Sequence, residues 1–107
     1  MTNYERKDNV ITLKHNGELN TERIKWIYLY TPLCGTCQLA RTFIELAEKA
    51  YGESFIYELD LNYFKNGAQL WGIESVPCLV KIVEGKPIKK LYAFESVSTV
   101  FEFISTH

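Results

Sequence analysis

Residues 24–37 read IKWIYLYTPLCGTC, and this stretch decides the fold. Ile24 to Tyr30 is almost continuously apolar, aromatic and β-branched, which suits an interior strand covered on both faces. Thr31-Pro32 ends it, because Pro32 has no N–H to give to a ladder. From Cys37 onward the period changes. Leu39, Phe43, Leu46 and Ala50 form one helical row, and Ala40, Ile44, Ala47 and Tyr51 form the next. The spacing predicts a long amphipathic helix stopped by Gly52. Strand, proline, cysteine pair and helix thus follow one another within a single short segment.

Beyond Gly52, Ser54 to Asp60 returns to strand chemistry, with Phe55, Tyr57 and Leu59 on one face and Ile56, Glu58 and Asp60 on the other. A short helix is expected over Tyr63 to Trp71, stopping at Gly72. Pro77 opens a strand from Cys78 to Val83. Glu84-Gly85-Lys86-Pro87 reads as a turn, and Ile88 to Phe94 as the returning hairpin strand. Ser96 reads as the N-cap of a final helix whose apolar face is Val97, Val100, Phe101 and Ile104. The order is βαβ followed by ββα, which predicts an α/β fold: a mixed sheet of four to five strands with helices on both faces. Val10 to Lys14 also reads as a strand. Only nine residues, His15 to Arg23, separate it from Ile24, fewer than a parallel crossover needs, and Asn16-Gly17 is a hairpin signal, so its pairing stays open.

Length and composition fix the setting. The chain has 107 residues with 47% hydrophobic and 23% charged, which predicts one domain over 1–107 with a single core. Twelve Lys and Arg against 13 Asp and Glu give a net charge of −1, so no electrostatic case for nucleic-acid binding arises. No apolar run approaches the about 20 residues of a membrane span, and residues 1–9 lack the apolar segment of a signal peptide. Three cysteines are an odd and sparse set for a secreted domain. The expectation is a cytoplasmic monomer.

Two cysteines separated by two residues close a small disulfide and reopen it. With Cys34 in the first turn of the helix, the dipole and free N–H groups stabilise its thiolate, lowering its pKa below the free-thiol value of ~8.5. Cys37, one turn in, is then placed to attack a mixed disulfide from behind. Zinc sites use the same spacing but need two further ligands. The other candidates are Cys78, His15 and His107, scattered along the chain.

Several features together resemble the thioredoxin family: the CxxC at Cys34 and Cys37, the segment Trp71-Gly72-Ile73-Glu74-Ser75-Val76-Pro77, the spacing from Cys37 to Pro77, the hairpin at Gly85 and the closing helix. The resemblance runs from about Ile24 to His107. It implies a thioredoxin fold and a thiol:disulfide oxidoreductase acting on protein disulfides, with Cys34 attacking and Cys37 resolving. It implies a cis peptide before Pro77, where the alternative is a trans strand-opening proline. Val76 would offer its backbone to the substrate chain, and Leu33, Gly35, Thr36, Pro77 and Ala93 would line the same groove. No organic cofactor is implied. Electrons would come from a separate reductase or a low-molecular-weight thiol.

Departures from the family pattern lie at Leu33, where Trp is usual, at Thr36, where Pro is usual, and at Ala93, where Gly is common. The family's buried Asp, six residues before the first cysteine, is Tyr28 here, too weak an acid to serve as a base near neutral pH. Glu58, on the neighbouring strand, is the candidate substitute: a buried carboxyl there would relay a proton to or from Cys37, against the alternative of a solvated strand-end glutamate. Cys78 reads either as a small buried apolar residue or as a third thiol near the pair. The rival functional reading is a non-catalytic binding module of the same fold, holding a metal or iron–sulfur cluster through Cys34, Cys37 and Cys78.

Overall fold

A computed structural model describes residues 24–105. The strand expected at Val10–Lys14 and the turn at Asn16-Gly17 lie outside these residues. The elements are β1 (Trp26–Tyr30), α1 (Gly35–Tyr51), β2 (Tyr57–Asp60), a 3-10 turn (Leu61–Tyr63), α2 (Lys65–Leu70), β3 (Cys78–Val83), β4 (Lys86–Leu91) and α3 (Val97–Ser105). They form one four-stranded sheet in the order β2-β1-β3-β4. β1 runs parallel to β2 and antiparallel to β3, and β3 pairs antiparallel with β4. The mixed sheet with helices on both faces is the architecture the pattern predicts.

The alternation of β1 sorts the core into two layers. Ile27 and Leu29 point to one face, with Leu59, Val80, and Phe64 and Ala68 from the α2 region. Trp26 and Tyr28 point to the other, with Ala40, Ile44 and Ala47 of α1 and Val100 and Ile104 of α3. Only one of the two helical rows of α1 is buried. Ala40, Ile44 and Ala47 face the sheet, whereas Leu39 and Leu46 remain exposed, because α3 covers one flank of the helix and solvent takes the other. Ser96 caps α3 by accepting the Thr99 N–H at 3.1 Å.

Several boundaries differ from the sequence reading; β1 starts at Trp26 rather than Ile24, and β4 ends at Leu91 rather than Phe94. α1 starts at Gly35, ahead of its apolar period, with Cys34 as N-cap. β2 begins at Tyr57 rather than Ser54, because the Phe55 and Ile56 amides are bound elsewhere. Both donate to one carboxylate oxygen of Glu48, each at 2.8 Å. The helix expected over Tyr63–Trp71 splits into the 3-10 turn and α2; Asp60 caps the former by accepting the Asn62 N–H at 2.9 Å. The hairpin turn is Glu84-Gly85 alone, both with positive φ (52° and 78°), the left-handed pair that matches strand twist. Lys86 and Pro87 therefore belong to β4. Pro87 is tolerated because β4 is an edge of this sheet and the register shifts opposite it, between Lys81 and Ile82.

Glu48 is fully buried on the last turns of α1 and joins the helix to the entry of β2. Removing its carboxylate leaves two amide N–H groups without their acceptor, each worth about 1–3 kcal/mol. Glu48→Ala is expected to lower unfolding free energy by roughly 3 kcal/mol, and Glu48→Gln, which keeps one acceptor, by less. Urea unfolding measures both. Equal, small losses would show that the carboxylate is not what fixes the strand entry.

Candidate active site

The β1 ladder ends at Tyr30, and Pro32 and Leu33 turn the chain into α1. Cys34 closes the turn by donating its N–H to the Thr31 carbonyl at 3.3 Å. As N-cap it has an extended backbone (φ −110°), and its sulfur accepts the Cys37 N–H at 3.1 Å. The Thr36 hydroxyl lies 3.3 Å from the same sulfur. Cys34 and Cys37 form a disulfide with Cα atoms 5.1 Å apart. Cys34 is partly exposed, while Cys37 is only 2% exposed. The first turn of α1 carries no acidic residue to oppose negative charge at Cys34. Once reduced, a thiolate at this sulfur meets an N–H group and the positive end of the helix dipole. An accessible sulfur followed one turn later by a buried one is the asymmetry that dithiol exchange uses.

Under the pair stands Tyr28, whose hydroxyl donates to the Cys37 carbonyl. Burial, reinforced by the negative charge of Glu58, pushes the Tyr28 phenol well above its ordinary range. It stays protonated, so it anchors the helix start rather than acting as a base. Glu58 faces Tyr28 across the β1–β2 register and is buried. It is not a lone carboxyl. Arg41 Nε lies 3.0 Å from Glu58 Oε1 and 3.6 Å from Glu45 Oε1. The sequence reading missed Arg41, although its position four residues after Cys37 placed it on the same helix face one turn on.

The remaining residues of the expected groove are placed as follows. Leu33 is fully exposed beside Cys34. A Cβ on Gly35 would meet nothing within 4 Å, so the backbone there is open to an approaching chain. The Val76–Pro77 peptide is cis, immediately before β3. Ala93 is exposed, just beyond the end of β4.

Cys78 is fully buried in the core layer on the α2 side, while its neighbour Leu79 points into the layer of α1 and α3. Burial pushes its thiol up to about 11, with the nearby Tyr92 hydroxyl and Lys90 charge acting the other way. This is the small buried apolar residue of the first reading. Among the described residues, no three His, Cys, Asp or Glu side chains come together to hold a metal ion. The cluster site through Cys34, Cys37 and Cys78 is therefore not assembled: the first two are joined to each other, and the third lies in the core layer on the α2 side.

Comparison with known proteins agrees with this geometry. The family model described as Thioredoxin matches residues 9–106. A thioredoxin-like protein of Bacillus subtilis, YusE, is 41% identical over 78 residues, covering 73% of this chain and 74% of its own. A thioredoxin of Staphylococcus epidermidis is 26% identical over 85 residues, covering 78% and 82%. Among solved structures, a thioredoxin from Halobacterium salinarum superposes with a TM-score of 0.69 at 18% identity, covering 94% of this chain and 92% of that one. That likeness speaks for the fold.

The raised Cys78 thiol gives a pH signature. The unfolded thiol ionises near 9 and the folded one near 11, so between them the unfolded state binds fewer protons and stability falls as pH rises. Unfolding free energy measured from pH 8 to 11 is expected to decline more steeply for the native chain than for Cys78→Ala. Parallel curves would contradict the burial assigned to this thiol.

Proposed function

The chain belongs to the thioredoxin family and is a thiol–disulfide oxidoreductase, and we propose that it acts on protein disulfides in the cytoplasm. Cys34 thiolate attacks one sulfur of a substrate disulfide, forming a mixed disulfide and releasing the other substrate sulfur as a thiolate. Cys37 thiolate then attacks Cys34 Sγ, displacing the second substrate sulfur. The substrate gains two electrons and leaves as a dithiol, and the Cys34–Cys37 disulfide remains. A separate reductase or a low-molecular-weight thiol restores the dithiol, and no organic cofactor takes part. Val76 pairs its backbone with the substrate chain, and Leu33, Gly35, Thr36, Pro77 and Ala93 flank the groove.

The observation that carries this reading is the Cys34–Cys37 disulfide at the N-terminus of α1, with a helix N–H aimed at the outer sulfur. Glu58 serves as the proton relay for Cys37, and Arg41 holds its carboxylate in place through the ion pair. Thr36 lacks the ring usual before the second cysteine, so the reduction potential is set by this chain's own helix start. The chain acts as a single domain and a monomer. No helix among the described residues is long and apolar enough to cross a membrane.

Insulin reduction with dithiothreitol tests the reaction. Turnover is expected from the native chain and none from Cys34→Ser; an inert native chain would overturn the proposal. Glu58→Gln is expected to slow turnover several-fold near pH 7. An unchanged rate would remove Glu58 from the mechanism.

A further inference from the structure

The segment from Gly72 to Pro77 joins α2 to β3 and contains neither helix nor strand. Gly72, Glu74 and Ser75 are exposed, and Gly72 adopts φ 69°. Its first residues hang from α2: Gly72 N–H donates to Gln69 O at 3.1 Å and Ile73 N–H to Ala68 O at 2.9 Å. The segment is also held from a different direction, by side chains of the β4 region. Lys90 Nζ donates to the Gly72 carbonyl at 3.4 Å. The Glu74 N–H donates to the hydroxyl of Tyr92 at 3.2 Å.

The phenol oxygen accepts in this bond, so the hold on Glu74 depends on the oxygen alone. The Tyr92 ring itself packs against the core layer that contains Cys78 and Val80. Tyr92 therefore ties Glu74 to the layer in which Cys78 lies, and Glu74 and Cys78 are the two ends of the short arc whose crest is Ser75-Val76-Pro77. Backbone bonds from α2 fix where this arc begins, and Tyr92 fixes how it is spanned.

We infer that Tyr92 is a positioning residue for protein substrates, holding the Glu74–Cys78 arc so that the Val76 backbone is presented in a fixed orientation. The inference rests on the reading of Val76 as the residue that pairs with the substrate chain. A preset arc spares the ordering cost that a loose one imposes when an extended polypeptide docks. The effect belongs to binding, since Tyr92 is not among the groups that exchange electrons or protons with the cysteines.

Tyr92→Phe keeps the ring and removes only the oxygen. Hydrogen exchange is expected to speed several-fold at the Glu74 amide, with the core strand amides unchanged. In insulin reduction, KM is expected to rise about three- to tenfold while kcat stays within twofold. Unchanged exchange at Glu74 would overturn the tether. Faster exchange with an unaltered KM, in a native chain that reduces insulin, would overturn the positioning role and leave the oxidoreductase reading standing. A native chain inert towards insulin would remove the substrate role along with the proposed function, and Glu74 exchange would then decide the tether alone.

Discussion

β1 has five residues, and four of them are buried. Both its edges are paired, to β2 and β3, and both its faces are covered, by α1 and α3 on one side and the α2 region on the other. Burying each large apolar side chain contributes about 1.5–3 kcal/mol, so this short strand concentrates much of the driving force for the fold. The rest of the architecture follows from closing that double cover. A strand saturated on all sides has only its ends free. Its C-terminal end leads through Pro32 into α1, and this delivers the cysteine pair to the rim of the core rather than to its interior.

The site sits where three kinds of group meet at that rim: a helix start, a buried phenol and an ion pair. The helix start favours negative charge at the outer sulfur. The Tyr28 phenol, held neutral by burial, secures the carbonyl of the inner cysteine without competing for its proton. Arg41 reaches from the next turn of the same helix to the Glu58 carboxylate on β2. α1 is thereby pinned to the sheet at Cys37 by a neutral bond and one turn later, at Arg41, by a charged one.

Hydrophobic period made most of this legible in the sequence. The continuous apolar run of β1 and the helical period of α1 and α3 declare element type, and the CxxC spacing stands out at a strand-to-helix junction. What the sequence did not disclose are contacts made by polar side chains across elements. Glu48 looks like any charged residue on an amphipathic helix, and only the approach of the Ser54–Ile56 segment turns it into an acceptor for two amides. Pro87 suggests a turn until the edge position of β4 is known. Tyr92 reads as one more aromatic strand residue, because its hydroxyl acquires meaning from Glu74, 18 positions away. Such pairings are set by topology, which local periodicity does not encode.

β4 forms one edge of the described sheet, and its composition is unwelcoming. Lys86, Lys89 and Lys90 charge it, Pro87 withholds a donor, and the irregularity opposite Ile82 breaks an even register. These are the devices by which sheets avoid templating another strand. A regular, unpaired edge invites a second copy or any other extended chain to lengthen the sheet. An edge of this kind discourages that pairing, and so guards the domain against growing into a shared sheet.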